Sequence, residues 1–306
     1  MPLASIDLSR VLAYNTLVVA AGTAAVGFAA GVVGSLGVLR KRALVGDAAS
    51  HVTLLGVAVA FGMTGSRSLP ILLGGGFAAA MMALGVLVLL RRFTRTRDDA
   101  ATAIVLSVGF GAGIAIVAGM NARGVPGSAG LEQFLLGHAA ALTLGEAALL
   151  AGVSLAVVVV VALLLKEITL VAFDASFAAA TGWPVAIVDY LLVVLLALMV
   201  VVGLPAAGAV LVTALVVIPP VAARQWTDRV ERMLCVAGGI GLCSAVAGVV
   251  ASAAVPRLAT GPLIVLVAGA IFAVSFIAAP QRGWLARRMR TRTIDMTWSE
   301  GEGRTP

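Results

Sequence analysis

Residues 45–61 read VGDAASHVTLLGVAVAF. A carboxylate, Asp47, and an imidazole, His51, stand four positions apart and lead straight into an apolar run. On a helix of 3.6 residues per turn, positions i and i+4 share a face, so both groups would point the same way. The run behind them is that of a membrane span, where an ionisable residue is costly. Spacing alone leaves two readings open: a ligand pair, or an aspartate capping the helix with a histidine one turn further in. With a helix beginning at Leu44, Asp47 would lie only about 5 Å and His51 about 10 Å along it.

The rest of the chain repeats the apolar pattern. Of 306 residues, 61% are hydrophobic and 11% charged, with a mean hydropathy of +1.11. About a quarter of residues are charged in soluble domains, so an integral membrane protein is implied. Runs long enough to cross about 30 Å of hydrocarbon fall near residues 11–38, 44–62, 69–90, 101–120, 143–165, 184–203, 206–222, 233–254 and 260–279. The expected fold is therefore all-α: a polytopic bundle of eight to nine membrane helices with a short helix outside them. A transmembrane domain over 1–283 and a basic then polar tail over 284–306 divide the chain. The opening MPLASIDLSR lacks the basic and short apolar regions of a cleaved signal.

Net charge is +7. Basic residues sit in short clusters between apolar runs, with few aromatics among them, which excludes a nucleic-acid partner and leaves the lipid bilayer as the surroundings. Numbering the gaps alternately puts 17 of the 21 Lys and Arg on one side: Arg40, Lys41, Arg42, Arg91, Arg92, Arg95, Arg97, Lys166, Arg224, Arg229, Arg232 and six tail arginines. Arg10, Arg67, Arg123 and Arg257 fall on the other. The positive-inside rule then predicts an external N-terminus and a cytoplasmic C-terminus.

Two segments break the pattern. LPAAGAVLVTALVVIPPVAAR (204–224) is short, glycine-bearing and interrupted by Pro219 and Pro220, which predicts a helix break or gate there. In KEITLVAFDASFAAATGWPV (166–185), Asp174 is placed as an N-cap, an alanine-rich helix follows, and Gly182 is its stop. That short helix carries no Lys or Arg, so a protein partner suits it better than anionic lipid. Cys235 and Cys243 lie eight apart in one apolar run and read as packing residues. Asp189 and Tyr190 lie near the start of the sixth run, where the carboxylate is expected to have a structural partner or a snorkelling position rather than a catalytic role.

Six stretches in order now resemble one family, the membrane permeases of ATP-binding-cassette importers for zinc, manganese or iron. They are VLRKRALVGDAASHVTLLG, DDAATAIVLSVGFG, LEQFLLGH, ITLVAFDASFAAATGWPV, GLPAAGAVLVTALVVIPPVAAR and TGPLIVLVAGAIFAVSFIAAP with the QRG after it. The resemblance implies that Asp47 and His51 coordinate a divalent manganese, zinc or iron ion in transit, with no permanently bound cofactor. It implies that Asp174, Phe177, Ala178, Ala179, Ala180 and Gly182 form a coupling helix docking on a separate cytoplasmic ATP-binding subunit. A second permease copy, identical or sister, and an extracytoplasmic metal-binding protein are the remaining partners, in the plasma membrane of a prokaryote. Leu55 where the family commonly has proline, and PPVAA in place of PAATA, are departures that bear on local helix bends. His138, in the 121–142 loop, has no assigned role.

Oxygen and imidazole ligands suit these ions, and no thiolate set points to copper. No HExxH, GxSxG or GxxxxGK[ST] occurs, so the chain is expected to be no enzyme and ATP hydrolysis to reside elsewhere. The alternative is a secondary, ion-coupled transporter, against which stand the missing internal repeat and the few intramembrane carboxylates.

Overall fold

The computed structural model describes residues 14–279 apart from 132–133, 135–136, 138–141 and 256–257. His138, the 283/284 domain boundary and the tail lie outside the described residues. These form eleven helices and no strand. In order they are α1 (Tyr14–Leu39), α2 (Ala43–Thr64), α3 (Leu69–Phe93), α4 (Asp98–Ala122), α5 (Leu144–Leu163), α6 (Leu165–Phe173), α7 (Ala175–Ala180), α8 (Val185–Ala207), α9 (Ala209–Arg224), α10 (Val230–Ala254) and α11 (Thr260–Ala278). Eight are long and apolar enough to cross a membrane, and α9 is a shorter apolar helix.

α1 is the centre of one lobe. Its small residues let α10, α5 and α9 close in: a Cβ on Gly27 would stand 2.5 Å from the Gly241 carbonyl oxygen, and one on Gly31 2.4 Å from that of Ala237. Such contact replaces the hydrophobic drive that is missing between helices in lipid. The second lobe packs α2 against α3 and α4, and α8 joins the two, buried without interruption from Met199 to Ala207. Outward faces are apolar as well, with Ile104, Val108, Leu266 and Val274 exposed, as lipid contact requires. Cys235 and Cys243 are exposed, not packed between helices. The small residues Gly238 and Gly241 occupy the tight seam of α10 against α1 instead.

Two ends are defined by charged contacts. At one, Arg67 donates to the carbonyl oxygens of Gly127 and Ala129, tying the α2–α3 loop to the α4–α5 loop. At the other, Arg40 reaches α6 and α8. The basic clusters at 40–42, 91–97, 166 and 224–232 belong to this second end, since successive spans run antiparallel.

No helix ends at Pro219 and Pro220, where a break or gate was predicted. α9 is helical through both prolines, and the discontinuity lies at Gly208, whose φ of 86° separates α8 from α9. Pro219 and Pro220 leave the Leu215 and Val216 carbonyls without their i+4 donors, and the Val216 oxygen faces Gly34 of α1, where a Cβ would be 2.0 Å away, an approach that glycine permits. At Gly208, only glycine adopts the required backbone without strain, and it serves both helices: its N–H donates to Leu204 at 2.8 Å and its carbonyl accepts from Val212 at 2.9 Å.

Candidate functional site

α2 starts at Ala43 with Arg42 at the N-cap position and no side-chain cap bond. Asp47 is thus four residues inside the helix, about 6 Å along it, and His51 about 12 Å along it. This is too far in for Asp47 to be the cap. The His51 Nε2 to Asp47 Oδ1 distance is 3.7 Å, too long for a hydrogen bond. At metal–ligand distances of about 2.1 Å, two donor atoms so separated subtend roughly 120° at a shared ion. His51 Nδ1 is buried and has no hydrogen-bond partner among the described residues. The Phe110 ring of α4 meets the imidazole edge-on at 5.3 Å between centroids, holding its plane. Asp47 keeps 44% of its side chain exposed against 22% for His51, so the carboxylate is the accessible member. Ser50 and Thr53 beside them turn their hydroxyls back onto the Asp47 and Ala49 carbonyls at 2.7 Å. No group of three or more His, Cys, Asp or Glu gathers among the described residues: one chain offers two ligands of this kind here.

The second candidate region lies at the basic end. Asp174 caps α7: its Oδ1 accepts from the Phe177 N–H at 2.9 Å and the Ser176 hydroxyl at 2.7 Å. These donors hold its carboxyl below the ordinary aspartate value. The helix closes on Gly182, φ 85°, with the Trp183 N–H bonded to Ala178 O and the Gly182 N–H to Ala179 O, the paired bonds of a Schellman stop. Within it Ala178 is fully buried, so it seats the helix, whereas Phe177, Ala179 and Ala180 are exposed. Phe173, Phe177 and Trp183 expose large apolar rings around this one short element.

At the opposite end, the α8–α9 turn is buried, and Gly137 of the 121–142 loop presses onto it. A Cβ on Gly137 would be 2.4 Å from the Gly208 nitrogen. Gly137 therefore meets the turn backbone to backbone.

One residue of the basic end escaped the sequence reading. Arg40 was visible only as a topology signal, yet its Nε donates to Asp189 Oδ1 at 2.9 Å, its Nη2 to both Asp189 oxygens, and its Nη1 to the Val171 carbonyl at 2.9 Å. Of the two readings of Asp189, a structural partner or a snorkelling position, the structure shows the first: its partner lies 149 positions away. No local pattern could have indicated which arginine that is.

Residues 13–279 match the ABC 3 transport family. The chain is 41% identical over 276 residues to the manganese transport system membrane protein MntC of Bacillus subtilis (strain 168), covering 90% of this chain and 63% of that protein. It is 38% identical over 288 residues to the zinc transport system membrane protein TroC of Treponema pallidum (strain Nichols), covering 94% and 97%. Among solved structures, PsaBC from Streptococcus pneumoniae in complex with Fab superposes with a TM-score of 0.80 at 26% identity, over 92% of this chain and 98% of that one.

Proposed function

Since the chain belongs to the ABC 3 transport family, we propose that it is the membrane permease subunit of an ATP-driven importer carrying divalent manganese, zinc or iron across the plasma membrane. The observation that carries this reading is the Asp47–His51 pair: an accessible carboxylate and, 3.7 Å from it inside a membrane helix, an imidazole whose other nitrogen has no hydrogen-bond partner among the described residues. Such a pair is costly to keep in a membrane unless a cation uses it. Carboxylate oxygen supplies charge, imidazole nitrogen supplies a borderline-soft donor, and together they favour these ions over magnesium or calcium.

Two ligands hold an ion weakly, which suits transit. A second permease copy, meeting this one across a twofold axis, would add a second pair, and water would complete the shell. The ion is cargo, and no resident cofactor is invoked. ATP is hydrolysed by a separate subunit that docks on Phe177, Ala179 and Ala180 at the cytoplasmic, basic end, with the neighbouring aromatics as apolar anchors. An extracytoplasmic binding protein delivers the ion at the other end, where Gly137 meets Gly208.

The test is uptake of radioactive manganese or zinc into proteoliposomes holding this chain and an ATP-binding subunit. We expect uptake that needs ATP hydrolysis. Uptake by the permease alone, driven by a proton or sodium gradient and indifferent to ATP, would replace this reading with that of a secondary transporter.

A further inference from the structure

We propose that Arg40 is the positioning residue that links the ATPase-docking segment to the helix bearing Asp47 and His51, an inference that rests on the function proposed above. One guanidinium joins three elements: the end of α1, on which it sits, the last turn of α6 through the Val171 carbonyl, and the start of α8 through Asp189. Carbonyls in the last turn of a helix lack an intrahelical donor, and Arg40 supplies one directly ahead of the Asp174 cap. Its planar fork serves a carboxylate along one edge while the remaining amino group reaches the carbonyl. A lysine ammonium, with one nitrogen, cannot span both acceptors in that arrangement. The pair is largely shielded, with 18% of the arginine and 28% of the aspartate side chain exposed, so water competes little for it.

The connection continues along the backbone. Arg42 N–H bonds to Gly37 O at 2.8 Å and Lys41 N–H to Val38 O at 3.2 Å, closing α1 in a Schellman stop. Lys41 adopts a φ of 55°, the left-handed conformation that side chains other than glycine's adopt at a cost. The Val45 N–H then bonds to Arg42 O at 3.0 Å, inside the first turn of α2. From Arg40 to Asp47 the chain is thus a short turn closed by these three backbone bonds, which leaves little slack to absorb a displacement of α6 and α7. When the docked ATPase moves α7, the guanidinium carries the movement to the α1–α2 turn and shifts α2, with Asp47 and His51 on it, against Phe110 of α4.

The experiment measures ATP hydrolysed and manganese taken up in the same proteoliposomes, for wild type, Arg40→Lys and Asp189→Asn. Both variants are mild: the first keeps the positive charge that sets topology, the second keeps an acceptor oxygen. We expect each to assemble with the ATP-binding subunit at wild-type yield and to hydrolyse ATP within about twofold of wild type, while ions moved per ATP fall at least about fivefold, the lower end of usual coupling strengths. An unchanged ratio in both variants would overturn the role of Arg40 while leaving the permease reading intact. Uptake and hydrolysis falling together with complex yield would also overturn it, showing that the pair only holds the fold. ATP-independent uptake by the wild type would overturn the permease reading and this inference with it.

Discussion

At the scale of single residues, Asp47→Asn is the sharpest probe because the two side chains differ by one charge and hardly in shape. The amide would preserve any hydrogen bonding that a structural role requires, and α2 begins four residues earlier with no cap bond from its N-cap residue. A ligand role needs the charge. We therefore expect metal uptake to drop about tenfold or more, equivalent to about 1.4 kcal/mol or more, with normal membrane insertion and ATPase co-purification as controls. His51→Gln should act in the same direction, since it removes the imidazole that faces Asp47 at 3.7 Å. Uptake near wild-type level from a well-assembled Asp47→Asn protein would remove the pair from the transport path. The pair itself was legible in VGDAASH because an i, i+4 relation is local. Its unpartnered Nδ1 and its contact with Phe110 were not, because both depend on what α2 packs against.

Among the elements, α7 separates two kinds of alanine that the sequence presents alike. Ala179→Asp would place a charge on the exposed face and should lower ATPase co-purification by about tenfold, as at a contact hot spot, without unfolding the permease. Ala178→Asp would bury a charge where the side chain is 0% exposed, and should lower the yield of folded permease itself. Equal effects from both would mean that the docking face is misplaced. Asp174 adds a pH dependence. Its carboxyl is held low by the Phe177 N–H and the Ser176 hydroxyl, so the folded form binds its proton less readily than the unfolded chain. The contribution of the cap is complete above about pH 4 and is lost as pH falls through the lowered value. Asp174→Asn should retain the cap and Asp174→Ala should lose it, which ATPase co-purification at neutral pH would register. At the other end, Gly137→Ala would force a Cβ to within 2.4 Å of the Gly208 nitrogen. A lowered thermal midpoint, from about 1–3 kcal/mol of overpacking, is the expected result, and an unchanged one would show that this loop does not rest on the α8–α9 turn.

For the molecule as a whole, the proposed orientation is tested by labelling in sealed cells, after Cys235 and Cys243, both exposed, are replaced by alanine. Ala129→Cys, in the loop that Arg67 binds, should react with an impermeant thiol reagent from outside, and Thr96→Cys, among the arginines that follow α3, only after permeabilisation. Ser128 would be a poor reporter, since its side chain is buried against the Val125 carbonyl. Reaction of the Thr96 site in sealed cells would invert the topology. The eight long spans and their order, the end that gathers arginine and the Asp174 cap were determined by the sequence by itself, while the count of eight or nine around 206–222 stayed open. Each is a sum or a spacing over neighbouring residues: the bilayer demands about 20 apolar residues per crossing, and a cap needs only its own first turn. The break between α8 and α9, the partner of Asp189 and the outward face of α7 were decided by tertiary structure. Pro219 and Pro220 predict a break from local chemistry, but the helix continues through both, packed against Gly34 of α1 at the Val216 carbonyl, and the interruption falls at Gly208. Arg40 was one of many arginines at its end of the bundle until the packing of α1, α6 and α8 brought it to a carboxylate 149 positions away.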